Sequence, residues 1–387
     1  MDITALRNQT PGTRHVSHFN NAGAALMPAP VNDTVIRYLR EENKYGGYET
    51  AEKYKQDIAN IYGDAATLIN GSDSEIALME NATAAWNMAF YSIPFEQGDR
   101  ILTSASEYAS NYINYLKLQK EREVSVEVIP NDSSGQTDPK QLKSMLDNRV
   151  KLVSITHMPT NGGLINPVEE IGALVRHHPC YYLVDACQSV GHYPVNVEEI
   201  GCDMLSTTGR KYLRGPRGTG FLFVRREIVN QLSPPFLDLH AATWTDDNHY
   251  KPREDARKFE NWEFNYANVM GLGKAIRYAA DIGVNNIWKR ITSLAELLRE
   301  SLSRADGITV RDIGHRQSGI VTFTSEEHHP RTIKKILNSQ QINVSLSPQS
   351  STLLDMKSRN LDKLVRSSVH YYNTEEEIDK LLAALSG

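Results

Sequence analysis

The stretch Ser206-Thr207-Thr208-Gly209-Arg210-Lys211-Tyr212-Leu213-Arg214-Gly215-Pro216-Arg217-Gly218-Thr219-Gly220 lies between a hydrophobic run and the strand-like Phe221-Leu222-Phe223-Val224. At its centre Lys211 is flanked by hydroxyls, by Arg210 and by four glycines. An amine held on a tight connection between two apolar segments, with a fixed cation beside it, suits condensation with a carbonyl next to an anion.

Working outward, short apolar runs at 100–103, 124–130, 151–156 and 181–186 read as strands. Helical periodicities at 108–121, 139–147 and 168–176 lie between them. Strand and helix alternating over about 200 residues imply a mainly parallel sheet covered on both faces. In such sheets chemistry gathers beyond the carboxyl ends of the strands. After about residue 265 the texture changes to helices at 270–280 and 286–302, strands at 307–311 and 319–323, and a last helix at 374–385. The expected division is a large α/β domain over 16–265 and a small α+β domain over 266–387. Residues 1–15 are expected to pack on the latter, and the hinge to fall near 260–275.

A chain of 387 residues exceeds one ordinary core, which agrees with two lobes. Its net charge of −5, with both signs interspersed, gives no basic stripe for nucleic acid and no polybasic segment for a membrane. No apolar run approaches the roughly 20 residues that span a bilayer, and residues 1–12 lack a signal-peptide core. The expected compartment is the cytoplasm. Cys180, Cys187 and Cys202 make no CxxC pair and are too few for an even disulfide framework, so they read as reduced thiols. The pairs His177-His178 and His328-His329 have no second ligand group at helical or finger-like spacing, and no metal is expected.

Several residues fall where such a sheet concentrates its chemistry. Asp185 ends the run Tyr181-Tyr182-Leu183-Val184-Asp185, and Gln188 follows it. A carboxylate there can hold a pyridinium nitrogen protonated. It can equally cap a helix. Asn81-Ala82-Thr83-Ala84-Ala85 opens a helix with small residues and a hydroxyl. Its free backbone N–H groups suit a phosphate, although a plain threonine cap has the same pattern. Thr208 and Arg210 offer a second hydroxyl and a cation to the same anion. Tyr108, after the run at 100–103, is placed to stack on a flat heterocycle or simply to pack. Arg366 stands in the apolar run Leu364-Val365-Arg366-Ser367-Ser368 and needs a partner, either a substrate carboxylate or a buried acid.

Taken in order, these segments resemble the class V branch of the fold-type I pyridoxal-phosphate enzymes, from Phe19-Asn20-Asn21-Ala22-Gly23 to the end of the chain. The resemblance implies a mainly parallel seven-stranded sheet with a smaller C-terminal domain, and pyridoxal 5′-phosphate as cofactor. By that likeness Lys211 is the Schiff-base lysine, Asp185 binds the pyridine nitrogen and Gln188 the phenolic oxygen. Thr83 with the Ala82 backbone, Thr208 and Arg210 hold the phosphate, Tyr108 stacks on the ring, and Arg366 binds the substrate carboxylate. The stretch Phe259-Glu260-Asn261-Trp262-Glu263 matches one that reaches into a neighbouring subunit's site. The likeness therefore implies a homodimer, with Glu263 serving the partner's cofactor.

Departures narrow the branch. Desulfurases usually carry a histidine before the lysine and another as ring stacker; here those places hold Arg210 and Tyr108. The loop Asn343-Val344-Ser345-Leu346-Ser347-Pro348-Gln349-Ser350-Ser351-Thr352 has no cysteine to receive a persulfide. The pattern looks most like hercynylcysteine sulfoxide lyases of ergothioneine biosynthesis and their relatives. The expected reaction is β-elimination from an S-substituted cysteine or its sulfoxide, giving a sulfur product, pyruvate and ammonia. The alternatives are an epimerase or aminotransferase of the same family, or a catalytically silent binding protein. Loops at 20–27, 240–256 and 343–357 are expected to set specificity, helped by Tyr45, Tyr48 and Trp262.

Overall fold

The computed structural model describes residues 1–385. Its centre is a seven-stranded sheet whose spatial order is Ile76–Met79, Gly220–Val224, Met204–Thr208, Tyr181–Asp185, Val150–Thr156, Arg100–Ser104 and Ser125–Ile129. Six strands run the same way, and Gly220–Val224 runs against its two neighbours. Central strands such as Met204–Thr208 and Gly220–Val224 are buried throughout, because helices cover both faces and no polar alternation is needed.

This topology gathers the loops. Strands Arg100–Ser104, Val150–Thr156, Tyr181–Asp185 and Met204–Thr208 are parallel, so their carboxyl ends share one edge. Gly220 pairs with Thr208 on one side and with Met79 on the other, so residues 209–219 and the start of helix Ala82–Ser92 open at that same edge. Gly220 is required by the close approach, since a Cβ there would lie 2.4 Å from the Thr207 carbonyl oxygen.

The C-terminal part carries an antiparallel sheet in the order Ile308–Val310, Ile320–Ser325, Lys363–Ser368, Ser345–Pro348. Helix Val284–Ser303 lies against it, burying Ile287, Ile291, Leu294, Leu298 and Leu302 along one stripe. Truncating one such residue to alanine costs about 2–5 kcal/mol. Thr374 and Glu377 form a capping box, each side chain accepting from the other's backbone N–H. The N-terminal segment joins this part too: Ser17–His18 pairs with Ile342–Asn343, and Arg7 donates to Tyr372 O and Glu377 Oε1.

Two expectations change in detail. Residues 242–252, read from the sequence as part of a loop, form an exposed hairpin, Ala242–Asp246 with His249–Pro252. The helices read at 270–280 and 286–302 extend to Tyr266–Ile282 and Val284–Ser303, broken by Gly283 at φ +85°. No described helix is long and apolar enough to cross a membrane.

Candidate active site

At the shared strand edge lies a cavity of about 180 Å³. Eight of the residues singled out from the sequence line it: Ala82, Thr83, Tyr108, Asp185, Gln188, Arg210, Lys211 and Arg366. Thr208 and Glu263 do not. Thr208 is buried behind the wall, where its hydroxyl donates to Thr219 O at 3.2 Å and accepts from Arg210 Nη1 at 3.0 Å. It therefore acts on the cavity by holding Arg210. Glu263 is exposed and faces a separate hollow beside Leu78 and Phe264 in its own chain.

Asp185 is buried at the end of its strand. Its Oδ1 accepts from the Cys187 N–H at 3.0 Å and its Oδ2 from Asn111 Nδ2 at 3.0 Å. The N–H bond makes it a local turn cap as well as a wall residue, so both sequence readings coexist. Gln188 donates from Nε2 to Ala22 O at 3.1 Å and leaves Oε1 buried without a partner. A buried amide oxygen in that state has acceptor capacity to spare for a bound group.

Helix Ala82–Ser92 is capped by Asn81, whose side chain accepts from the Ala84 N–H at 2.9 Å. The first N–H groups, those of Ala82 and Thr83, remain open to the cavity with the positive end of the helix dipole. Arg210, Lys211 and Arg366 add three cations, and none forms an ion pair among the described residues. Burial draws the Lys211 amine below its ordinary value, while nearby Cys187 and Asp185 partly restore it. The excess of positive groups over the Asp185 carboxylate marks a site for anions.

Arg366 projects from strand Lys363–Ser368 toward the same space. Its Nη1 donates to the Thr160 hydroxyl and carbonyl, and its Nε is buried without a partner. The buried-acid alternative thus has no counterpart among the described residues. Tyr108 is the N-cap of helix Ala109–Arg122 and 38% exposed, so one face is open rather than packed away.

Residues that the sequence did not single out complete the wall: Asn111, Thr156, Met158, Thr160 and Cys187. Asn111 is the one that carried a signal, standing four residues after Glu107 and close behind Tyr108 on a helix start. Of the loops expected to set specificity, only Ala22 and Gly23 reach the cavity within one chain. Tyr45, Tyr48 and Trp262 are exposed and do not line it.

A lysine of lowered basicity, a carboxylate at the next strand's end and a helix N-terminus beside an arginine define a pyridoxal-phosphate-dependent enzyme of fold type I. The chain belongs to the class V aminotransferase family: residues 17–381 match the family model described as aminotransferase class-V. It is similar to the probable cysteine desulfurase of Methanothermobacter thermautotrophicus, at 31% identity over 97% of this chain and 95% of that one. The cysteine desulfurase of Haloferax volcanii is 26% identical over 99% of this chain and 92% of its own. Among solved structures, the apo cysteine desulfurase from Thermococcus onnurineus superposes with a TM-score of 0.92 at 26% identity, covering 99% of this chain and 97% of that one. The residues present fit the cofactor, since the spare Gln188 oxygen, the open helix N-terminus and the unpaired cations match a phenolic hydroxyl and a phosphate.

Proposed function

We propose that the protein cleaves the carbon–sulfur bond of an S-substituted cysteine or cysteine sulfoxide by β-elimination, releasing the sulfur product directly with pyruvate and ammonia. Relatives named as cysteine desulfurases support carbon–sulfur cleavage. The observation that carries the direct release is the state of the cysteines. Segment 343–352 has none, and Cys187, which lines the cavity, has its thiol pushed up to about 12 by burial and by Asp185. A thiol so rarely ionised is a poor sulfur acceptor.

When bound, the cofactor supplies an electron sink that lets the substrate's α carbon lose its proton. In this reading Ala82, Thr83 and Arg210 hold the phosphate, and Thr208 keeps Arg210 in place. Asp185 would pair with the pyridine nitrogen, Gln188 Oε1 would accept from the phenolic hydroxyl and Tyr108 would lie against the ring. Arg366 would grip the substrate carboxylate through the edge that Thr160 leaves free and so orient the α carbon toward Lys211. Lys211, first the cofactor's anchor and then a free amine of lowered basicity, takes the α proton at Nζ.

A second copy is part of the proposal. Phe236, Leu239, Trp244, Tyr250 and Trp262 are all more than half exposed within one stretch of chain. Phe236 also borders an apolar cavity of about 550 Å³ with Met88 and Phe259. Exposed apolar surface on that scale marks an interface, and Glu263 lies beside it, in keeping with a role in the partner's site.

The test is the product profile of cofactor-loaded protein with a panel of S-substituted cysteines and their sulfoxides. One pyruvate per sulfur product is expected. Racemised or transaminated amino acid in its place would remove the lyase reading. Lys211→Ala should abolish both turnover and the visible absorbance band that borohydride bleaches.

A further inference from the structure

Behind the cavity wall, and not itself lining it, lies Glu107, 3% exposed. Four donors converge on its carboxylate. Oε1 accepts from the Tyr108 N–H at 2.9 Å, from Asn111 Nδ2 at 2.9 Å and from the Thr156 hydroxyl at 2.5 Å, and Oε2 from the Thr103 hydroxyl at 3.1 Å. Tyr108, Asn111 and Thr156 are all cavity residues. One buried side chain thus holds three parts of the wall.

The bond to Asn111 has a directional consequence. An amide nitrogen carries two hydrogens, and here one points to Glu107 Oε1 and the other to Asp185 Oδ2. All four contacts of the Glu107 carboxyl come from donors, and Asp185 Oδ2 likewise accepts from Asn111 Nδ2, so Glu107 fixes Asn111 with its NH₂ group between the two carboxyls. The second hydrogen is thereby committed to Asp185. With the amide reversed, a carbonyl oxygen would face Asp185 Oδ2 and this hydrogen bond would be lost.

We infer that Glu107 is a positioning residue for the cofactor site: through Asn111 it fixes the orientation of Asp185, and through the Tyr108 N–H it sets the ring-covering side chain. This rests on the proposed pyridoxal-phosphate role of Asp185. The titratable groups facing Glu107 are Asp185 from strand Tyr181–Asp185, one strand beyond Val150–Thr156, and Tyr115 from the following helix. Burial pushes the Glu107 carboxyl up to about 7, with the Thr156 hydrogen bond opposing and the Asp185 charge adding to the rise.

Glu107→Gln tests the bridge. Glutamine nearly preserves shape but can offer NH₂ to Asn111, allowing that amide to turn over. The variant should bind pyridoxal 5′-phosphate about tenfold more weakly. The pH midpoint of the bound cofactor's visible absorbance should move by about one unit. Asn111→Leu, which leaves Glu107 in place and removes the bridge, should move that midpoint similarly. It also carries the test if Glu107→Gln does not fold. A dissociation constant and midpoint unchanged in the folded variants would overturn the inference. Failure of the unaltered protein to bind the cofactor would instead overturn the underlying functional reading.

Discussion

Arg366 donates through Nη1 to both the hydroxyl and the carbonyl of Thr160, at 2.5 and 3.1 Å, and pairs with no carboxylate among the described residues. A guanidinium fixed at one edge and unpaired at the other is preorganised for a planar anion. Arg366→Ala should lower kcat/KM for pyruvate formation on the order of 1000-fold. Arg366→Lys should raise KM more than it lowers kcat, because an ammonium supplies charge without the fork. Steady-state kinetics on one cysteine derivative reads both.

Asp185→Asn should leave the phosphate contacts intact, so the cofactor still binds. Without the carboxylate, the pyridine nitrogen loses its charged partner, and kcat should fall about 100-fold or more. Absorbance titration for binding and single-turnover pyruvate release for rate separate the two effects.

Cys187 provides the pH prediction. Burial, with the Asp185 charge adding, holds its thiol near 12, and burial pushes Cys180 to about 12 as well. At pH 8 a thiol of that kind is ionised to only about one part in 10,000. Iodoacetamide should label the native protein very slowly at pH 8, faster as pH rises toward 12, and rapidly after unfolding. Cys187→Ser should keep pyruvate formation within about threefold of the parent. Loss of turnover in that variant would count against direct release.

Arg214 links distant parts of the chain to the lysine loop. It donates to Leu26 O, the Tyr371 hydroxyl and the Thr10 hydroxyl, and its own N–H bonds Lys211 O. Arg214→Met strips Leu26 O and the Tyr371 and Thr10 hydroxyls of their guanidinium donor and should cost about 3 kcal/mol. Urea denaturation followed by circular dichroism measures it.

Phe236→Glu places a charge on the exposed apolar stretch. If the proposed dimer forms through this surface, sedimentation should show the parent as a dimer and the variant shifted toward monomer, with activity falling accordingly; a parent that sediments as a monomer would overturn the dimer.

The central sheet was legible because its strands are local apolar runs, and Lys211, Asp185 and Tyr108 could be placed at one edge because parallel strands put their carboxyl ends together. Thr208 illustrates the limit. From the sequence its hydroxyl could meet an anion, but the antiparallel return of Gly220–Val224 brings Thr219 O within reach and turns it inward. The hairpin at 242–252 escaped notice because its exposed strands show no burial alternation.

What the sequence determined by itself was the periodicity of the elements and the chemical identity of the groups at their ends, because both are local properties of neighbouring residues. The tertiary structure alone decided which polar groups are spent on one another. Arg366 meets Thr160 rather than an acid, and Glu107 turns inward to Asn111 while Gln188 keeps an oxygen spare. These outcomes depend on burial and on partners far away in the chain. A hydrogen bond between such partners forms only when the fold has removed water from both.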